Sequence, residues 1–326
     1  MFLNLWILFL PLKRNILIFL ELFSKEPLSS SLLKLNKKKF QVFSPAKINL
    51  FLHIGKKRKD HFHTISSLMF PLKTTGDILT FKPILSPNIN VSLTLSKKIQ
   101  TPLFKKLIPS SKNNLVWKAA HLFYKTTHLK PAIAIHIEKN IPFGAGLGGG
   151  SSNAAATLLT LNRLYKYPLS LKKLHALSTQ LGSDVSFFLY QKSAFVSGKG
   201  DKIKLTLLKL KHWILLLNPR FTISTPWAYQ RWDELTSSLE TPAFRPSLTK
   251  KSRNAKNYWK NDFEKVVFPA YPILEKAKEI LLKAGAHTAR LTGSGSSLYG
   301  VFKSFKSAQK AAKEFKHWIY WIERGP

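Results

Sequence analysis

The chain has no cysteine. Disulfides and thiolate metal sites are therefore excluded, and the composition fits a reducing compartment. Acidic residues are scarce: 16 Asp and Glu stand against 52 Lys and Arg in 326 residues, a formal charge of +36. Such an excess points first to nucleic acid or an anionic membrane. Its distribution argues otherwise. Residues 1–40 carry a net of +5, and the remaining +31 is spread over 286 residues. A dedicated nucleic-acid surface would be concentrated and interleaved with stacking aromatics. Lys56-Lys57-Arg58-Lys59 is a basic run, but no recognised nucleic-acid motif accompanies it. The expectation is a general lysine bias with no nucleic-acid partner.

A membrane-spanning run is also missing. Met1–Leu12 is apolar apart from Asn4, but Lys13-Arg14-Asn15 interrupts it, and twelve residues are too few to cross a bilayer. No basic segment opens the chain, as a signal peptide would require, and Glu21 and Glu26 make a poor transit peptide. The expectation is a cytoplasmic chain without stable membrane insertion, with an atypical apolar and basic extension over residues 1–38.

What is present centres on Pro142–Ala156, PFGAGLGGGSSNAAA, which holds five of the 15 glycines. Upstream, Ile133, Ile135 and Ile137 alternate as in a strand. Downstream, Leu158, Leu159, Leu161 and Leu164 recur at helical spacing. Strand, glycine loop, helix is an anion cradle: glycines let the backbone approach a ligand, and the helix start offers unpaired N–H groups. The loop lacks the Lys-Ser/Thr ending of a Walker A loop. It also lacks the acidic residue about 20 positions on that a dinucleotide fold uses.

Elsewhere, Phe40–Leu52, Ile65–Leu72, Ile78–Phe81 and Val91–Leu95 read as strands, and Lys56–His63 as a polar turn. Asn114–Tyr124, Ser170–Leu181, Pro226–Leu239, Pro272–Ala284 and Ser307–Phe315 read as helices. Ala194–Ser197, Trp213–Leu217, Ala289–Leu291 and Tyr299–Phe302 are short strands, and Thr241–Lys260 reads as a mobile loop. Without a regular βαβ cycle the class is α+β.

Three further features carry chemistry. In Ser44-Pro45-Ala46-Lys47-Ile48-Asn49-Leu50, Lys47 and Asn49 share a strand face, which suits a transferred phosphoryl group or an activated hydroxyl. In Leu181-Gly182-Ser183-Asp184-Val185-Ser186-Phe187-Phe188, Asp184 stands against an apolar run, as a general base or as a turn aspartate. The third is a second glycine loop, Gly293-Ser294-Gly295.

SPAKINLFL, PFGAGLGGGSSNAAA, LGSDVSFF and LTGSGSS, in that order, resemble the superfamily of galactokinase, homoserine kinase, mevalonate kinase and phosphomevalonate kinase, the GHMP kinases. The resemblance covers about Phe40 to Phe302. It implies a two-domain α+β enzyme, with a ribosomal-protein-like ATP-binding domain over 39–206 and a ferredoxin-like domain over 207–326. It implies ATP with Mg²⁺, a small-molecule alcohol as acceptor, and a monomer or homodimer. ATP phosphates would lie on Pro142, Phe143, Gly144, Ala145, Gly146, Leu147, Gly148, Gly149, Gly150, Ser151 and Ser152, with Asn114 and Lys139 near the adenine. Asp184 would be the base and Lys47 would stabilise charge at the reacting hydroxyl. Ser151 or Ser152 would touch the Mg²⁺; no metal carboxylate is evident. The branch that fits best phosphorylates a cytidine diphospho sugar alcohol on the non-mevalonate route to isoprenoids. There Phe62 would stack on cytosine and His63 hydrogen-bond it, although His61 stands where that branch has glycine. Asn49, Thr225, Gly293, Ser294 and Gly295 would line the acceptor pocket. The competing readings are a homoserine- or mevalonate-type kinase and a non-enzymatic basic nucleic-acid-binding protein.

Overall fold

The computed structural model describes residues 39–109, 111–207, 209–237 and 259–325. The extension over residues 1–38 lies outside the described residues, as does most of the expected loop from Thr241.

Strands β1 (Phe40–Lys57) and β2 (His63–Pro83) form a long antiparallel hairpin. Next come β3 (Ile89–Leu95), the short helix α1 (Pro102–Lys106), a 3₁₀ turn at Ser111–Asn113, α2 (Leu115–Thr127) and β4 (Ile133–Lys139). The glycine loop leads into α3 (Gly149–Leu164), followed by α4 (Leu171–Leu181), α5 (Val185–Tyr190), β5 (Ala194–Gly198) and β6 (Lys202–Leu205). The six strands order as β3-β4-β2-β5-β6 with β1 on β2. β3 and β4 run parallel, and the other pairs are antiparallel. Helices α2 to α5 bury their apolar stripes on this sheet through Phe123, Leu158, Leu161, Leu174 and Phe187.

The remaining half is β7 (Trp213–Asn218), α6 (Thr225–Thr236), α7 (Glu264–Ala270), α8 (Pro272–Lys283), β8 (Thr288–Leu291), β9 (Leu298–Phe302), α9 (Phe305–Ala312) and β10 (Ile319–Arg324). Its antiparallel order β10-β7-β9-β8 is that of a ferredoxin-like sheet. Helices α6 to α9 cover it through Trp232, Val267, Leu274 and Ala308. The class expected from the motifs therefore holds. Among the described residues no helix is long and apolar enough to cross a membrane.

One boundary differs. Ile65–Leu72 and Ile78–Phe81 read as two strands because Lys73-Thr74-Thr75-Gly76 breaks the apolar alternation. They are one strand of 21 residues. The break is bridged from the other half of the chain. The buried Glu323 carboxylate on β10 accepts from Lys73 N (2.7 Å), Thr74 N (3.3 Å), Thr74 Oγ1 (3.1 Å) and Thr75 N (2.9 Å). These side-chain bonds hold the polar segment extended. The two sheets meet in a further apolar cluster that joins Ile48, Phe51 and Phe70 to Leu216, Tyr299 and Val301.

Candidate active site

The glycine loop follows β4 and opens α3. Gly148 caps that helix in the left-handed region, at φ 68°. A side chain there would meet the Phe188 ring at 2.8 Å and Lys47 Cγ at 3.2 Å, so both conformation and space require glycine. Gly146 is more crowded: a Cβ would stand 2.0 Å from Thr292 O. The two glycine loops, far apart in sequence, are thus packed backbone to backbone. Ser297 N donates to Ala145 O at 3.2 Å, and Lys47 N donates to Leu147 O at 3.0 Å.

A cavity of about 340 Å³ lies at this junction. Pro142 to Ser151 line it with Lys47, Asn49, Lys139, Asp184, Thr225, Gly293 and Ser294. Most of the residues picked from sequence therefore meet in one place. Lys47 Nζ is buried, 2.7 Å from Asn49 Oδ1 and 3.4 Å from Asp184 Oδ2. Asp184 occupies the N-cap position of α5, but its side chain makes no capping bond. The carboxylate faces the lysine instead. Thr225 Oγ1 and Ser294 Oγ are 2.8 Å apart.

Asn49 is held at both ends of its amide. Oδ1 accepts from Lys47 Nζ, Gly293 N (2.9 Å) and Thr292 Oγ1 (3.3 Å), while Nδ2 donates to Ser67 Oγ (2.9 Å). It ties β1 to the second glycine loop. Asn261 Nδ2 braces that loop from behind, donating to Leu291 O and Gly293 O.

Other expected residues lie beside the cavity rather than on its wall. Ser152 is buried and shares a 2.8 Å bond with Ser44 Oγ; Ser151 is the hydroxyl on the lining. Asn114 Oδ1 caps α2 by accepting from Val116 N at 2.9 Å. Gly295 lies against Ile223 and Leu291. Phe62 is half-exposed under Lys199, whose Nζ is 5.2 Å from the ring centre. His63 is buried, with Nδ1 3.0 Å from Gly55 O and Nε2 2.8 Å from Asp233 Oδ1. His61 takes the left-handed conformation, φ 63°, that a glycine would adopt freely.

Two site residues escaped the sequence reading. Tyr229, on α6, lines the cavity and stacks on His63 at 5.2 Å with planes 17° apart. Burial, and the nearby Asp184 charge, push its phenol well above the ordinary tyrosine range. Its only sequence signal is an aromatic one helical turn after Thr225. Asp77 is fully buried and ion-paired with Lys139. A lone acid inside an apolar strand, in a chain so poor in acids, was the available clue.

The chain matches the GHMP kinases N terminal domain over residues 114–192 and the GHMP kinases C terminal domain over 242–320. It is similar to a 4-diphosphocytidyl-2-C-methyl-D-erythritol kinase of Thermodesulfovibrio yellowstonii, 38% identical over 79% of this chain and 88% of the relative. The chain belongs to the GHMP kinase family. A second such relative, from Lawsonia intracellularis, is 40% identical to this kinase over 79% of its chain and 86% of the relative. A crystal structure of 4-(cytidine 5'-diphospho)-2C-methyl-D-erythritol kinase superposes on the kinase with a TM-score of 0.71 at 27% identity, covering 88% of this chain and 99% of that one. Homoserine kinase from Cytophaga hutchinsonii shares the fold at TM-score 0.62 and 16% identity, over 89% of this chain and 96% of that one. The kinase is thus a phosphotransferase acting on an alcohol, and the nucleic-acid-binding reading falls away.

Proposed function

We propose that this kinase transfers the γ-phosphoryl group of ATP to the C2 hydroxyl of 4-diphosphocytidyl-2-C-methyl-D-erythritol, on the non-mevalonate route to isoprenoids. The observation that carries the reading is the Lys47–Asp184 pair, 3.4 Å apart in the cavity between two glycine loops. Asp184 takes the hydroxyl proton as the oxygen attacks the γ-phosphorus. The bond to the β-phosphate oxygen breaks and ADP leaves. Lys47 stabilises the negative charge that gathers at the reacting oxygens, at a buried position where water screens it little.

The polyphosphate is received by Pro142 to Ser151, whose backbone N–H groups stand at the start of α3. Mg²⁺ would arrive with ATP and neutralise part of its charge. Among the described residues no group of three or more His, Asp or Glu could hold it alone. Ser151, on the cavity lining, would offer it a hard oxygen donor. Phe62 would stack on the cytosine and His63 would hydrogen-bond it; Tyr229, which lines the cavity and stacks on His63, adds aromatic surface on that side. Residues 39–206 act as the ATP side and 207–326 close the acceptor side. All of these groups come from one chain, so a monomer or homodimer suffices, working in the cytoplasm.

Coupled measurement of ADP release with the cytidine diphospho alcohol tests the reading. Turnover is expected, and Asp184→Asn is expected to lower kcat by about 10²- to 10⁴-fold. Unimpaired turnover by that variant removes Asp184 as base. Turnover of homoserine or mevalonate in place of the cytidine substrate overturns the acceptor.

A further inference from the structure

We infer that Asp77 is a positioning residue for the nucleotide: it holds Lys139 against the glycine loop so that the ammonium meets a neutral acceptor atom at the adenine end of ATP. The inference rests on the ATP site proposed above. Asp77 contacts no ligand itself; it acts through Lys139.

The two oxygens of the Asp77 carboxylate divide their work. Oδ1 accepts from the backbone N–H groups of Asn140 at 2.7 Å and Ile141 at 2.8 Å. These bonds set the turn by which β4 enters the glycine loop. Oδ2 accepts from Lys139 Nζ alone. Both side chains are buried, Asp77 completely.

A buried ion pair is costly to desolvate, and apolar residues of like size fill such a place as well. Here the lysine has a second aspect. Lys139 lines the cavity, and Nζ is 2.8 Å from where a Gly149 Cβ would stand, so the ammonium lies against the first turn of α3. It also lies 5.5 Å from the centre of the Phe143 ring. Among the described residues Asp77 is its one hydrogen-bond partner. An ammonium has three donors, so two remain for a ligand.

The charge balance selects the ligand atom. Asp77 offsets the Lys139 charge, so the pair attracts a phosphate weakly, and phosphate already has the helix start. Leu115 and Phe143 make the neighbouring wall apolar and aromatic. That wall suits a purine ring, whose nitrogens accept from the ammonium.

The division of the carboxylate makes the test clean. In Asp77→Asn the amide oxygen can keep both backbone bonds, while an NH₂ replaces the acceptor that faces Lys139. The variant frees the lysine and spares the turn. Binding of a non-hydrolysable ATP analogue, and separately of inorganic tripolyphosphate, is measured by calorimetry without any alcohol present. Asp77→Asn and Lys139→Met are each expected to weaken the analogue about 10- to 100-fold, the worth of one charged hydrogen bond. Tripolyphosphate binding should stay within about twofold of wild type. The double variant Asp77→Asn/Lys139→Met should bind the analogue no more weakly than Lys139→Met alone, because Asp77 has then lost the group it acts through.

The double variant contains no unpaired buried charge, so it carries the comparison if Asp77→Asn alone is unstable. Analogue binding at wild-type strength in Lys139→Met and the double variant makes the pair structural and overturns the inference. So does additivity of the two effects, or equal loss of tripolyphosphate. Failure of the wild-type chain to bind the analogue overturns the kinase reading and this inference together. Analogue binding without turnover of the cytidine substrate overturns only the acceptor.

Discussion

Replacing Asn49 with leucine removes the link between β1 and the second glycine loop while keeping a side chain branched at the same position. Asn49 is buried, and its amide makes four bonds: from Lys47 Nζ at 2.7 Å, from Gly293 N at 2.9 Å, from Thr292 Oγ1 at 3.3 Å and to Ser67 Oγ at 2.9 Å. The bond from the charged lysine is worth about 1.5–3 kcal/mol and each neutral bond about 0.5–1.5 kcal/mol. These groups form one network, so their losses overlap. Leucine also leaves Gly293 N and the ammonium short of an acceptor, which costs more than the bond itself. The expected loss for Asn49→Leu is about 3–5 kcal/mol, read from urea unfolding with an unchanged m-value. Asn49→Asp separates stability from rate. It keeps Oδ1 for Gly293 and Lys47 but puts a second carboxylate beside the ammonium, in competition with Asp184. Its stability should fall less than that of the leucine variant, while kcat falls at least tenfold. A loss below about 1 kcal/mol in Asn49→Leu, or a wild-type rate in Asn49→Asp, refutes the reasoning that this residue binds β1 to the second glycine loop and holds Lys47 for Asp184.

Two further outcomes are expected. His61→Gly relieves a left-handed residue in an exposed turn, worth about 1 kcal/mol, so Tm should rise by about 1–2 °C; an unchanged or lower Tm removes the strain argument. For Asp262, burial works to raise the carboxyl, but bonds from His53 and Ile54 N and the Lys260 charge outweigh it and hold the group below its usual range. Its stabilisation is therefore present above the unfolded-state value, about pH 3.9, and fades as pH falls through the lower folded value. Asp262→Asn should lower stability at pH 7 and flatten the decline below about pH 4 in urea titrations; a parallel decline in both proteins refutes the assignment.

The local parts of this site were legible in the sequence, and the long-range pairings were not. Pro142–Ala156 read as strand, loop and helix because period-2 isoleucines precede the glycines and helical-period leucines follow. Lys47 and Asn49 read as neighbours because strand residues two apart share a face, and their 2.7 Å bond follows. The role of Lys73-Thr74-Thr75 was hidden because its partner, Glu323, lies about 250 residues away. Tyr229 was hidden for the same reason: its partner His63 lies in the other sheet's hairpin. Phe62 read as a stacking residue and His63 as a hydrogen-bonding one; strand β2 begins at His63 and leaves Phe62 in the turn, half out in solvent. The acceptor-side residues were thus harder to place than the phosphate side, since helix α6 and the β1–β2 hairpin meet only in the tertiary fold.

That difference follows from how the site is built. Lys47, Asp184 and the phosphate loop all belong to the first sheet and its helices, while Thr225, Tyr229, Gly293 and Ser294 come from the second. A motif read alone describes one wall. The walls are held together by contacts at the cavity: the close approach of Gly146 to Thr292, the Asn49 amide, and Ser297 N on Ala145 O. Glu323 adds a clamp midway along the hairpin, where its carboxylate spans three consecutive residues of β2. Relative placement of the two halves is therefore set at several points, one of them the reacting end itself. Any side chain added at Gly146 must push the second glycine loop away from Asn49, and Asn49 in turn holds Lys47. Loop packing, acceptor wall and the lysine beside Asp184 are consequently one coupled unit, although their residues lie in five separate stretches of the chain.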